Sequence, residues 1–403
     1  VRRLFVFAGL EKSDWWRALN RLERALAGER AEEALAAYAR LFRALSGRPT
    51  ANLLTAAAEE LLWRDSSLSR AALTDTPPEG LLAAAHEDMV FLQRQLQRDW
   101  HGEAERLLLR TLPPLQGLDG APEEGVAELA ERLRADEVTE LLGWLLRRYR
   151  SQGAGLLARY LAFRWQRGRL RGIAQVALPD LAGLVALERQ LSQLRANTEA
   201  FLAARPAHHT LLYGPRGSGK STAVRGLLRA YAERNLRLVE VPVAALGELP
   251  RIAELLRPRP HRYLLFVDDL AFESNDHGYQ PLKTLLEGSF MGCPDNLLVI
   301  ATSNRRHLVR ENFSDRPDPL NDDVHRWDTH NERLALADRF GLTITFPGAT
   351  QKRYLLLVTE LARREGLELP AGMAAAVRFA EWGNGYSGRT AQQYIDSVRA
   401  KLV

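Results

Sequence analysis

The sequence holds a single cysteine, Cys293, among 403 residues. A lone thiol forms no internal disulfide and cannot build a cysteine metal cluster, which suits a reducing compartment. Long apolar runs are missing as well. No stretch approaches the roughly 20 residues needed to cross a bilayer, and the N-terminus lacks a signal-peptide pattern. A cytoplasmic protein with no membrane partner is therefore expected. Lysine is scarce: only Lys12, Lys220, Lys283, Lys352 and Lys401 occur in a chain rich in arginine, so lysine is not the default cation at any position. No fixed period returns along the first half, which argues against a solenoid of identical repeats. What remains is an ordinary globular composition, 46% hydrophobic and 26% charged, with a net charge of +5 that permits an anionic partner without requiring one.

From Val1 to about Arg171 the patterns are helical, with almost no strand signal. Ser13 is placed as an N-cap for a segment in which Trp15, Trp16, Leu19, Leu22 and Leu26 recur at helical spacing. Further helices are expected over 30–45, 52–64, 80–112 and 122–134, interrupted by Pro77-Pro78 and Pro113-Pro114. One stretch stands out. Arg147, Arg148, Arg150, Arg159, Arg164, Arg167, Arg169 and Arg171 are interleaved with Tyr149, Tyr160, Phe163 and Trp165, with no acidic residue among them. Such a mixture could follow a phosphate backbone and stack on bases; a solvated helix face with core aromatics gives the same pattern.

A connecting helix is expected over 179–205. After it, short apolar runs at 210–213, 237–241, 263–267, 297–301 and 342–346 alternate with helical patterns or long loops. That order predicts a mostly parallel sheet with its chemistry at the strands' carboxyl ends. The first run leads into Gly214-Pro215-Arg216-Gly217-Ser218-Gly219-Lys220-Ser221-Thr222, a glycine-rich turn opening a helix. Glycines there let successive N–H groups turn inward around a polyphosphate, and the helix adds its positive N-terminal end. Lys220 is expected to reach the β- and γ-phosphates of ATP, and the Ser221 hydroxyl to ligate Mg2+. The third run ends in Asp268-Asp269. Adjacent carboxylates closing a buried strand call for a cation, so Asp268 is the expected magnesium partner and Asp269 the group that polarises water. The fourth run ends at Asn304, whose amide can both donate and accept beside the γ-phosphate.

Together these segments resemble the AAA+ ATPase family: Walker A over 214–221, Walker B over 264–269, and a sensor-1 residue at Asn304. The resemblance extends to Ala337-Asp338-Arg339-Phe340-Gly341, similar to the box that carries the family's arginine finger. It implies that Arg339 enters a neighbouring subunit's site, with Arg305, Arg306 and Arg310 as rivals. Ser387-Gly388-Arg389-Thr390 resembles sensor 2, which implies that Arg389 meets the phosphates from a helical lid formed over 350–364, 370–382 and 390–402. At finer grain, Arg205-Pro206-Ala207, the stretch 301–308 and the stretch 338–347 resemble a bacterial AAA+ family of unknown function. The fold implied is α/β: a P-loop NTPase sheet core over 179–348 and a lid over 349–403, preceded by an all-α domain over 1–178.

The resemblance implies ATP hydrolysis coupled to remodelling or loading of a macromolecule. It also implies a homo-oligomer such as a hexamer, with a protein or nucleic-acid partner, DNA included, bound through the N-terminal helices. A nucleotide-dependent switch with little hydrolysis is the alternative, because the second Walker B acid is Asp269 where hydrolytic relatives more often have Glu. The connector over 241–249 has Gly247 but none of the aromatics of protein-threading relatives, which disfavours an unfoldase. His208-His209 is expected to be a polar strand entry. The connection over 315–333, with His325, His330, Asp322, Asp323 and Asp328, fits no metal-ligand spacing.

Overall fold

The computed structural model describes residues 3–46, 48, 52–74, 76–115, 122–271, 280–286, 293–304, 339–369, 372–383 and 385–400. The chain divides into two compact units, Val1–Arg159 and Tyr160–Val403.

The first unit is helical: α1 (Asp14–Ala27), α2 (Ala31–Ser46), α3 (Leu53–Trp63), α4 (Ser67–Thr74), α5 (Glu79–Gln97), α6 (Trp100–Leu108), α7 (Glu124–Ala135), α8 (Val138–Gln152) and α9 (Leu156–Arg159). The aromatic stripes are core, with Trp15, Trp16, Tyr38, Trp100 and Tyr149 all buried in one cluster. Two of their polar tips are satisfied internally, Tyr149 donating to the Leu61 carbonyl at 2.8 Å and Trp100 to the Gln95 carbonyl at 2.7 Å, whereas the buried Trp15 indole N–H has no partner among the described residues. The single helix expected over 80–112 is two. Arg98 leaves the helical conformation, and the Asp99 side chain accepts from the Gly102 N–H at 2.9 Å, capping a new helix. Buried Asp88 accepts from the backbone N–H groups of Val6 at 2.7 Å and of Phe5 and Phe7 at 3.1 Å, tying the N-terminal segment to α5.

The second unit opens with strands where helix was expected. β1 (Ala162–Gln166) and β2 (Arg169–Gly172) form an antiparallel hairpin, and β1 joins the main sheet beside β4. The basic stretch is therefore divided among α8, the end of α9 and this hairpin. Alternation was the overlooked signal. Phe163 and Trp165 are buried while Arg164 and Gln166 are exposed, a period of two rather than 3.6. The remaining strands are β3 (Thr210–Tyr213), β4 (Leu236–Glu240), β5 (Arg262–Val267), β6 (Leu297–Ser303) and β7 (Leu342–Thr345), in spatial order β2-β1-β4-β5-β6-β3-β7. Every neighbouring pair except β1 with β2 is parallel.

One face of the sheet, with Leu212, Leu238, Phe266 and Ile300, shares a core with α10 (Glu188–Leu202) and α11 (Lys220–Tyr231). The intervening strand residues Leu211, Val239, Leu265 and Val299 point the other way and are also buried, which is why the strands are continuously apolar. Past β4 come α12 (Leu249–Leu256) and α13 (Gln280–Leu286). Three helices close the unit: α14 (Gln351–Glu365), α15 (Gly372–Trp382) and α16 (Gly388–Arg399), around Tyr354, Val358, Tyr394 and Ile395. The Thr350 side chain accepts from Arg353 and that of Ser387 from Thr390, which sets where the first and last of these begin. Among the described residues no helix is long and apolar enough to cross a membrane.

Two imidazoles, His261 buried and His209 half-buried, give the fold a pH signature. His209 enters β3 and accepts the Val299 N–H through Nδ1 at 3.1 Å, and burial pushes it down to about 4; His261 is pushed down to about 3 by burial and by Arg237 and Arg259. Both lie below the unfolded value of about 6.5, so the unfolded chain protonates first. Their contribution is complete above that pH and falls away as pH drops, toward 4 for His209 and toward 3 for His261, by up to about 1.4 kcal/mol per pH unit for each ring. Urea unfolding at a series of pH values should show this slope. His209→Gln, which keeps an acceptor for Val299, should remove its His209 share; an unchanged slope would refute the assignment.

Candidate functional site

The glycine-rich turn leaves the carboxyl end of β3 and enters α11. Three of its glycines have positive φ: Gly214 at 156°, Gly217 at 72° and Gly219 at 100°. A Cβ on Gly214 would lie 2.2 Å from the Phe346 carbonyl oxygen, and one on Gly217 would lie 2.9 Å from the Ser387 Cβ. The turn is thus pressed between the exit of β7 and the start of α16. Gly388 N–H donates to the Gly217 carbonyl at 3.0 Å, a direct lid-to-loop bond.

Lys220 is buried at the turn's centre. Its Nζ donates to the carbonyls of Gly214 at 2.6 Å and Pro215 at 2.9 Å, and to Asn304 Oδ1 at 3.0 Å. Desolvation lowers its pKa, partly offset by Asp268 and Asp269. Asp268 Oδ1 accepts from Ser221 Oγ at 2.7 Å and from Thr302 Oγ1 at 2.6 Å. Thr302 Oγ1 also accepts the Asp269 N–H at 2.9 Å. Asp269 sits at φ 55°, and its Oδ1 accepts from Asn304 Nδ2 at 2.6 Å. Arg216 lies 3.8 Å from Asp269 Oδ2, with both side chains largely exposed, so this pair contributes at most about 1 kcal/mol.

Arg216, Gly217, Lys220, Ser221, Asp268, Asp269, Thr302, Asn304 and Arg389 line one pocket of about 250 Å3. Four elements separated in sequence meet there: the turn, the end of β5, the end of β6 and the first turn of α16. Of the remaining expected residues, Gly214, Pro215, Ser218 and Gly219 shape the turn itself, and Thr222 is half-buried in the first turn of α11. The Ser218 hydroxyl is buried and makes no hydrogen bond among the described residues. Thr302 had drawn no role from the sequence. Its only signal was a small polar residue within an apolar strand, and its shared hydroxyl became visible only once β5 and β6 paired.

Arg339 is exposed and stands just ahead of β7. Since β7 runs parallel to β3, Arg339 lies at the sheet edge opposite the glycine-rich turn and does not line the pocket. Arg305, Arg306, Arg310, Ala337, Asp338 and the 315–333 connection lie outside the described residues. Among the described residues no group of three or more His, Cys, Asp and Glu is placed to hold a metal ion.

The residues fit a nucleotide. The turn leaves a cradle that β-carbons would fill, and a hydroxyl beside a carboxylate offers the hard oxygen donors magnesium prefers. β6 separates the loop strand from the acid strand, β7 lies beyond the loop strand, and a helical lid follows. This arrangement defines a P-loop NTPase of the AAA+ class. Within that class the chain belongs to the family described as "Protein of unknown function (DUF815)", whose model matches residues 158–402. No curated protein matches the sequence. Among solved structures, the Thermotoga maritima RuvB Holliday junction branch migration motor is 17% identical over 56% of this chain and 66% of its own, with a TM-score of 0.38. Cdc6p from Pyrobaculum aerophilum is 18% identical over 47% of this chain and 52% of its own, with a TM-score of 0.32. The matched part thus spans less than two thirds of either protein, and the class assignment rests on strand order and site.

The contacts around the turn predict the effect of a single methyl group. Gly214→Ala should reduce nucleotide affinity at least about 10-fold and destabilise by more than about 2 kcal/mol, through strain and collision with Phe346. Gly247, with nothing within 4 Å of an added Cβ, should accept alanine within about 0.5 kcal/mol. Calorimetric titration and denaturant unfolding would measure both.

Proposed function

We propose that the protein binds ATP with magnesium and hydrolyses it to ADP and phosphate, using the cycle to remodel or load a macromolecular partner as an oligomer. One observation carries the reading: Lys220, Ser221, Asp268, Asp269, Asn304 and Arg389 line a single pocket at the carboxyl edge of the sheet. Lys220 turns from the Gly214 and Pro215 carbonyls to the β- and γ-phosphates, exchanging carbonyl partners for charged oxygens. Ser221 and Asp268 hold the magnesium ion, which when bound neutralises phosphate charge and fixes the phosphates' orientation. Asp269 accepts the proton of the attacking water, and Asn304, already bonded to both Lys220 and Asp269, orients that water. Arg389 binds the phosphates from the lid, so the Gly217–Gly388 bond and Arg389 together relate lid angle to nucleotide state. Arg339, at the opposite end of the strands from its own pocket, supplies a guanidinium to a neighbouring subunit's site.

Lys220→Ala should abolish ATP binding, measured with a fluorescent analogue. Arg339→Ala should bind normally and lose turnover by about 10³-fold or more. Mixing the two variants should restore activity through mixed sites; full turnover by the dilute monomer would refute the shared site.

A second reading, a nucleotide-dependent switch with negligible hydrolysis, has one observation in its favour. Asp269 is a short carboxylate in a left-handed backbone conformation, with one oxygen already held by Asn304. Phosphate release well above background that disappears in Asp269→Asn would reject it.

A further inference from the structure

The hairpin β1–β2 is not needed to complete the nucleotide pocket, and its two faces differ sharply. Phe163, Trp165 and Leu170 point inward and are buried, at 0%, 2% and 9% exposure. The opposite face presents Arg164, Gln166, Arg169 and Arg171, all exposed. Cross-strand register sets Arg164 directly opposite Arg171, and Gln166 opposite Arg169. Like charges in facing positions destabilise a ribbon unless anions lie against them. Among the described residues the one carboxylate paired with these arginines is Glu240, 3.0 Å from Arg164; Glu248, beside the turn at Gly168, is paired with Arg251 at 3.6 Å. The two-residue turn adds a third irregularity. Arg167 and Gly168 both have positive φ, 52° and 70°, a turn in which Asn or Asp ordinarily precedes Gly. An arginine is held at the tip despite the steric cost of a left-handed backbone at a residue with a β-carbon.

We infer that this face of the hairpin, with Arg164, Arg169 and Arg171 on the ribbon and Arg167 at its turn, contacts the phosphate backbone of duplex nucleic acid without reading sequence. The guanidiniums form a two-dimensional array. The backbone positions that carry them recur about 7 Å apart along β2 and about 5 Å apart between strands, which suits a surface of phosphates more than a single extended acidic peptide. Guanidinium forks match phosphate oxygens in pairs. Base stacking is not available here, because the hairpin's aromatics are turned into the core. Contact is therefore confined to the backbone, correcting the expectation that Phe163 and Trp165 stack on bases.

The charge balance agrees. Residues 160–403 carry 33 Lys and Arg against 26 Asp and Glu, whereas residues 1–159 carry 22 against 24. The basic excess lies with the ATPase unit rather than with the helices first expected to choose the partner. β1 also runs parallel to β4, so the hairpin's turn projects from the same sheet edge as the nucleotide pocket. The inference deepens the proposed function by naming the partner class, and rests on it only for coupling to turnover.

The test is fluorescence anisotropy of a labelled 25-base-pair DNA duplex of mixed sequence with the full chain, without nucleotide, over a range of salt concentrations. A chain that failed to hydrolyse ATP would still answer it. Replacing Arg167, Arg169 and Arg171 together by Gln should weaken binding at least about 10-fold at low salt and reduce the salt slope by about 3. The corresponding triple Lys variant should keep most of the slope, and a second duplex of unrelated sequence should bind with similar affinity. No binding at low salt, or a slope unchanged in the Gln variant, overturns the proposal. So does hairpin-dependent binding of polyglutamate without binding of DNA, which would assign the face to an acidic protein.

Discussion

Everything in the site is arranged around one desolvated cation. The Lys220 ammonium is buried at the end of a parallel sheet, where its charged form is disfavoured by burial and supported by two carboxylates. It spends its three N–H groups on two carbonyls of its own turn and on Asn304. Through Asn304 it is connected to Asp269, and through Thr302 that acid is connected to Asp268 and Ser221. A single network therefore joins the glycine-rich turn, the end of β5 and the end of β6. A cation held by neutral carbonyls has more to gain from phosphate oxygens than from the groups it would leave, so the arrangement favours a polyanion.

The same network makes the sheet's register functional. Phe266 pairs with Ile300 and Val267 with Ala301, so the next residues along β5 and β6, Asp268 and Thr302, meet at one level. A slip of one residue would turn every side chain of a strand to the opposite face and separate the two. Continuous apolar strands buried on both faces resist such a slip, and in this way the core's packing fixes the position of a hydroxyl. The lid is tied in by equally short contacts. Gly217 bonds Gly388, and Arg364 of α14 donates to the Ala182 carbonyl at 2.7 Å in the segment preceding α10. A displacement of these helices would therefore act on the glycine-rich turn directly, with no intermediate element.

Much of this was legible in order along the chain. The five parallel strands β3 to β7 fall where short apolar runs were expected, each within a residue or two; β3 to β6 are buried on both faces and are written as nearly continuous apolar runs, whereas only Ile344 of β7 is fully buried. The lid helices fall close to their expected spans for a similar reason, a 3.6-residue period around Tyr354, Val358 and Tyr394. The hairpin was hidden. Arginine clustering suggested a helix face or a charged tract and masked a four-residue alternation, although Arg167-Gly168 supplied a turn at its centre. The break in the helix expected over 80–112 was hidden too, since Asp99 becomes a cap only when the preceding residue leaves the helix.

The sequence by itself determined the chemical inventory and its order: a glycine turn before a buried lysine, two acids closing one strand, an amide closing another, and an arginine opening the last helix. Local backbone needs and hydrophobic periodicity are written in neighbouring residues, so neighbouring residues suffice to read them. Only the tertiary structure decided which groups share a proton-bearing partner: that Thr302 joins Asp268 to Asp269, that Asn304 mediates between Lys220 and Asp269, and that Arg389 lines a pocket while Arg339 stands at the opposite end of the strands. Hydrogen bonds and electrostatic contacts act over a few ångströms, and residues scores of positions apart come within that range only when the strands pair in one register and the lid closes on the turn.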